Sequence, residues 1–431
     1  MRRSLTIAGM DPIAALCRFL DDAPCPSFAA DALEGLLEAQ GFASLAMDAS
    51  WPCGPGRFRV RRGDSLVAFV LRAQRPQRFH LVGAHTDSPH LRLKPVPARI
   101  AEGCLLLTVE VYGGALWNSW LDRDLGLAGT LHTTDGTAHR VRLDRPFARI
   151  PQLAIHLDRK VNDEGLKLNA QTHLIPIWGL AGDGVDAVAK LDAVLAAAAG
   201  ISASDIVSRD LSLYDCTRAT RGGAEQEFLF AARLDNLVSC QAGALALSAA
   251  ADGDATTVPV LACFDHEEVG SASDTGADGA FLAQVLERIT LAAGLDRSAH
   301  LAALAGSQAL SADMAHAVHP AYVDRHDATH QPRLGHGPVI KSNVNQRYAT
   351  SAASAARLRR LARREHIAIQ DFASRNDLGC GSTIGPAVAA HLGMAVVDVG
   401  LPMLSMHAAR EWMAVADHDP YIKLLAAHLR G

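Results

Sequence analysis

Val258–Glu268 reads VPVLACFDHEE, and Phe79–Asp87 reads FHLVGAHTD. Each is an apolar run of strand length that stops on a cluster of acidic residues and histidine. Such a continuous run, without polar alternation, is the pattern of a strand covered on both faces. The two runs flank a stretch of different texture. Between about residues 90 and 230 come short alternating runs such as Leu105–Tyr112 and Gly126–Thr133, with one Ala-rich helix at Val185–Ala199. From about Ala231 helices and strands alternate. Helices are expected over Asp235–Ala250, Gly279–Ala293, Ser351–Arg364 and Thr383–Leu392, and strands over Val339–Lys341, Ile367–Ala373 and Ala395–Val399. At the front, Asp11–Gln40 reads as two helices broken near Pro24 and Pro26, followed by strands within Phe58–Val70. This succession predicts an α/β fold, with a mixed sheet covered by helices on both faces. The expected domain is built from both chain ends, 1–89 and 231–431, with a β-rich domain inserted at 90–230.

Composition narrows the function classes. The 431 residues carry a net charge of −5 with 20% charged residues, which lacks the basic surplus of a nucleic-acid partner. The one basic cluster, RLRRLARR at Arg357–Arg364, falls in a helical pattern and reads as a solvated helix face, or next as an oligomer contact. The eight cysteines, at 17, 25, 53, 104, 216, 240, 263 and 380, form no CxxC pair and no disulfide framework, which suits a reducing cytoplasm. The opening MRRSLTIAGMDP is too short in apolar residues for a signal peptide, and Met10 is a candidate start. No stretch is long and apolar enough to predict a membrane span.

Five segments concentrate polar residues at the edges of apolar elements, where open α/β sheets place their sites. In His85-Thr86-Asp87, residues i and i+2 of an extended chain share a face, so Asp87 can orient a His85 ring that binds metal. In Arg233-Leu234-Asp235-Asn236, an aspartate opens a helix, where capping is an alternative role. In Asp265-His266-Glu267-Glu268, adjacent glutamates point in different directions, so one can bind metal and the other move a proton. Ser311–Pro320 combines Asp313 with His316 and His319, and Ser405–Glu411 contains His407. Together these His, Asp and Glu residues suit two divalent ions sharing a carboxylate bridge, about 3.5–4 Å apart. A thiolate-free N/O donor set suits zinc, cobalt or manganese.

The segments GAHTDSPHLRLKP (83–95), RLDNL (233–237), DHEEVGS (265–271), SADMAHAVHP (311–320), GPVIKSNVNQRYAT (337–350), RNDLGCGSTIGP (375–386) and SMHAARE (405–411) span most of the chain. In this order and rough spacing the chain resembles the aspartyl aminopeptidase family, metallopeptidase family M18. The resemblance implies a hydrolase that removes N-terminal aspartate or glutamate from peptides at a two-metal centre, with zinc as the expected ion and cobalt or manganese as alternatives at one site. It implies Asp235 as the bridge, His85 and Asp313 on one ion, and Glu268 and His407 on the other. Glu267 matches the general base and Asp87 the support of His85. His316, Lys341 and Tyr348 match substrate contacts, with His156 of LAIHLDR reaching in from a neighbouring subunit. It further implies a closed tetrahedral dodecamer whose contacts run through the inserted domain. Two rivals remain: a related dimetal exopeptidase or amidohydrolase with another side-chain preference, and a non-catalytic assembly protein. The second predicts a broken ligand set, and every expected position is intact.

Overall fold

Four strands run parallel side by side at the centre of the molecule's largest sheet: Thr257–Phe264, Arg78–His85, Gln308–Ala312 and Ala395–Gly400. The structure is a computed structural model that describes residues 11–52, 54–72 and 75–431. The reading of Met10 as a start, and the Cys53 thiol, lie outside the described residues. On one side the sheet is extended by Ser65–Leu71, antiparallel to Thr257–Phe264, then by Gly56–Arg62 and Ala43–Leu45. On the other side Val339–Ser342 runs antiparallel to Ala395–Gly400 and parallel to Gln370–Ala373. The sheet is therefore mixed and nine-stranded.

The uninterrupted apolar runs resolve into two cores because side chains alternate across a strand. Phe79, Leu81, Val258, Val260, Ala262, Phe264, Ala309 and Val396 enter one core, which helices Phe281–Ala292 and Gly385–Leu392 cover. Val82, Ala84, Leu261, Cys263, Leu310, Ala312, Val397 and Val399 enter the other. There helices Leu234–Ala249 and His418–Arg430 lie side by side on the sheet, and helices Pro12–Asp22 and Pro26–Glu38 pack against the first of them. Buried without a break from Leu234 to Leu247, that first helix is rich in small residues. Gly243 marks the closest approach, since a Cβ there would come 2.6 Å from Leu261.

The chain divides into two compact units. The first comprises residues up to Asp87, Ala219–Met406 and Glu411–Gly431; the second comprises Ser88–Arg218 and His407–Arg410. The second unit contains a six-stranded antiparallel sheet in the order Ala138–Ala148, Leu125–Thr133, Ile206–Asp215, His90–Ala101, Cys104–Tyr112 and Ile177–Leu180, with helix Ala187–Ala199 packed on it. It closes at Arg218 and not near 230, because Phe228–Ala231 pairs with both Thr220–Gly222 and Glu411–Ala414. Those strands belong to a five-stranded sheet of the first unit, completed by Pro402–Leu404 and Ala315–His316. Among the described residues the cysteines are free, and no helix is long and apolar enough to cross a membrane.

Candidate active site

Because the central strands are parallel, their C-terminal ends meet along one edge, and the sequence delivers an ionisable group at three of them. Arg78–His85 ends on His85, with Asp87 two residues on. Thr257–Phe264 leads through His266, held at φ 62°, into a single 3-10 turn that carries Glu267 and Glu268. Gln308–Ala312 leads to Asp313, whose amide donates to Val399 O at 3.1 Å. That approach requires Gly400, since a Cβ there would stand 1.7 Å from the Asp313 carbonyl oxygen.

Asp235 arrives from the start of helix Leu234–Ala249. The sequence left capping open as its role, but Asp235 and Asn236 are non-helical, and the peptide between them is cis. The Asp235 carboxylate faces His85 instead: Oδ1 is 3.5 Å from His85 Nε2. Asp313 Oδ1 lies 3.7 Å and Glu267 Oε2 3.9 Å from the same nitrogen. These separations exceed a hydrogen bond. They approach the edge, about 3.3 Å, of a tetrahedron of ligands each about 2.0–2.1 Å from a central zinc. Donor atoms of His85, Asp235 and Asp313 all fall within 4.8 Å of one another, as do those of His85, Glu267 and Glu268. Mixed imidazole and carboxylate donors at this spacing fit a divalent cation, and all three members of the first set are buried.

The groups around this cluster fix its geometry. His85 Nδ1 donates to the Asp87 carbonyl oxygen at 3.0 Å, which turns Nε2 towards the carboxylates. The Asp87 carboxylate, 3.4 Å from Nδ1 and fully buried, accepts from the backbone amides of Glu267 at 3.2 Å and Glu268 at 3.0 Å. One aspartate thus ties the His85 strand to the turn carrying both glutamates. Burial by itself would lower the His85 pKa, but the carboxylates of Asp235, Asp313 and Asp87 outweigh it and hold the imidazolium well above its usual range. Burial raises Glu267 to about 8; His85 opposes the rise, and Asp313, Glu268 and Asp87 add to it. A carboxyl with that tendency is suited to taking up a proton.

Lys341 comes from Val339–Ser342 and is 2% exposed. Its Nζ donates to Asp313 Oδ2 at 3.1 Å and Met314 O at 2.9 Å, and lies 5.1 Å from the centre of the Tyr348 ring. Tyr348 is buried, which pushes its phenol far above the usual range. With exposed His316 it lines a cavity of 370 Å³ that also includes Phe372, Arg325, Cys380 and Met403. Two predicted residues belong to the second unit. His407 Nδ1 donates to Gly114 O at 3.1 Å, the tautomer in which Nε2 accepts. His156 is exposed, among Leu153, Ile155 and Leu157, which are 64%, 47% and 74% exposed.

Sequence reasoning passed over three buried polar residues that hold this arrangement. Asp398 accepts from the Ala349 amide at 2.6 Å and from Thr383 Oγ1, anchoring the residue that follows Tyr348. Glu411 Oε2 accepts from the Asp235 amide at 3.1 Å, and Asn236 Nδ2 donates to Ala312 O at 2.8 Å. For Asp398 the signal was present: a carboxylate in the middle of the apolar run AVVDV.

Residues 19–428 match the family model described as Aminopeptidase I zinc metalloprotease (M18). The chain is 47% identical over 420 residues to a probable M18 family aminopeptidase 2 of Streptomyces avermitilis, covering 96% of this chain and 97% of that one. A Mycobacterium bovis protein of the same description is 44% identical over 427 residues, with 96% and 97% covered. Among solved structures, a chain in the cryo-EM structure of the Ape4 and Nbr1 complex superposes with TM-score 0.92 at 37% identity, covering 97% of this chain and 85% of that one. The S. cerevisiae mApe1 dodecamer gives TM-score 0.84 at 27% identity, with 97% and 96% covered. With this likeness running through both units and the polar edge of the sheet, the chain belongs to the M18 family of metal-dependent aminopeptidases.

Proposed function

We propose that this enzyme removes acidic residues, aspartate or glutamate, from peptide N-termini, using two divalent ions that are zinc in at least one position. The observation that carries the reading is the convergence of His85, Asp235, Glu267, Glu268 and Asp313 at one sheet edge. His85 and Asp313 would hold one ion, Glu268 and His407 the other, and Asp235 would bridge them. When bound, the ions polarise the scissile carbonyl and acidify the attacking water. Glu267 takes the proton from that water and returns it to the departing amine, while Asp87 holds the Glu267 turn in register through its two amide bonds.

Lys341 is the cation for the substrate's side-chain carboxylate. An ammonium has three donors, and two are directed to Asp313 and Met314, so one remains for a ligand. Tyr348 and His316 line the adjacent cavity. The exposed apolar residues around His156 support a subunit contact through the second unit, with His156 entering a neighbour's site in a closed dodecamer. Free thiols support a cytoplasmic setting.

The test is hydrolysis of Asp-, Glu-, Leu- and Lys-p-nitroanilides before and after chelation, with zinc, cobalt or manganese added back. Metal-restored cleavage confined to the acidic substrates is expected. Metal-restored cleavage of Leu or Lys substrates instead would remove the role given to Lys341 and leave the metal chemistry standing.

A further inference from the structure

The central strands also have a beginning, at the edge opposite the metal-ligand cluster. There a cavity of 320 Å³ lies between helices Ala352–Arg364 and His418–Arg430. Gln308 and Ala395, the first residues of two central strands, line it. The strand from Gln308 to Asp313 sets it roughly 17 Å from the catalytic edge, at about 3.3 Å per residue.

Its chemistry is that of an anion site. Arg357, Arg360 and Arg364 recur three and four residues apart, so they share one face of their helix, and all three line the cavity. On another face Arg359 is paired with Asp371. Arg364 shares Glu365, at 3.2 Å. Arg357 and Arg360 form no ion pair among the described residues. The basic run that reads in sequence as a solvated helix face is thus turned partly towards a cavity.

The second observation is His80, 8% exposed and part of the same lining. Its Nδ1 donates to His428 O at 2.7 Å, and its ring stacks on His428 at 5.0 Å. That bond fixes the tautomer in which Nε2 is an acceptor, and this buried atom has no hydrogen-bond partner. A suitable ligand therefore presents anionic oxygens to the guanidinium forks and, once the lining shifts enough to uncover the enclosed Nε2, one O–H or N–H to the imidazole. A phosphate group does both, because its second proton leaves near pH 6 and it is part protonated at neutral pH. Sulfate lacks that proton.

We propose that this cavity binds the phosphate group of a small phosphorylated molecule, of about nucleoside-monophosphate size given its volume. The test is calorimetric titration of the metal-loaded enzyme with AMP, inorganic phosphate, adenosine and sulfate. It is repeated on Arg357→Ala/Arg360→Ala and on the milder Arg357→Gln. Thermal melting and peptide hydrolysis certify that each variant is folded. Saturable binding of AMP or phosphate below about 1 mM is expected, weakened at least about tenfold in the double variant, with basal hydrolysis unchanged. Tighter AMP than phosphate assigns the site to a nucleotide, and equal binding assigns it to the free anion; both support the proposal. No saturation by about 10 mM, or undiminished binding by the double variant, which would put the ligand at the metal centre, overturns it.

Discussion

Asp87→Asn is the substitution that tests the organisation of the catalytic edge most sharply. The asparagine is the same size, so a fully buried position stays filled. The carboxylate now accepts two amides, Glu267 N at 3.2 Å and Glu268 N at 3.0 Å, one on each oxygen. An amide side chain offers one acceptor; its NH2 must face a backbone N–H, donor against donor. Charge-assisted bonds contribute about 1.5–3 kcal/mol each, and a buried donor left without a partner costs about 1–3 kcal/mol. The turn carrying Glu267 and Glu268 should therefore lose about 1–3 kcal/mol of positional stability. If most of that falls on the reactive arrangement, kcat drops by about 10- to 100-fold, the range for residues that orient metal ligands. The assay is steady-state hydrolysis of Asp-p-nitroanilide together with zinc titration of the chelated protein. Both turnover and zinc affinity should fall while secondary structure is unchanged. A variant with wild-type kcat and wild-type zinc affinity would refute the claim that this carboxylate organises the turn.

Glu267→Gln should bind metal with near wild-type stoichiometry yet lose about 100- to 10,000-fold in kcat, and retained turnover would remove Glu267 as base. Lys341→Ala should lower cleavage of every substrate, because it strands the buried Asp313 carboxylate; its diagnostic is the Asp-to-Leu ratio of kcat/KM, and an unchanged ratio would end its role in acidic recognition. Chelated protein should lose stability as pH rises from 6.5 towards 8. His85 is raised in the fold, so its contribution is full below the unfolded pKa and is lost as pH rises; Glu267, raised to about 8, likewise holds a proton in the fold that the unfolded chain has released. A melting temperature flat over that window would contradict the crowding of carboxylates around His85. Glu267→Gln should remove part of the slope.

Two of the strands that build the catalytic edge, Arg78–His85 and Thr257–Phe264, were legible because an apolar run ending in HTD or DHEE carries both its element and its site in consecutive residues, whereas the five-residue strand Gln308–Ala312 before Asp313 was not read. Residues 297–305 and 418–430, both helical, went unread: the first is short and Ala-rich, and the second begins His-Asp-Pro, which reads as a turn before it reads as a helix. The expected strand at Ile367–Ala373 shrinks to Gln370–Ala373, where pairing with Val339–Ser342 begins. The five-stranded sheet is nearly invisible to periodicity, since Ala315–His316 has two residues and Pro402–Leu404 three. At Asp235 the local rule pointed to helix capping; the carboxylates opposite, from residues distant in sequence, were not available to a local reading. The pairing of Lys341 with Asp313 is of the same kind. It joins a strand to the loop that follows another, and no spacing rule predicts it.

The strand Arg78–His85 lies between Thr257–Phe264 and Gln308–Ala312, and that position has a consequence for synthesis. Neither neighbour exists when the strand leaves the ribosome. The second is complete only about 230 residues later, which at about 5–20 residues per second is a wait of roughly 10–45 s. Throughout that interval a strand whose middle, Leu81–Ala84, is apolar has both edges unpaired, the condition under which nascent chains join one another. The enzyme's central strand is therefore left exposed during translation, and a chaperone that holds emerging apolar segments should raise the yield of folded protein more than it changes the stability of the finished fold.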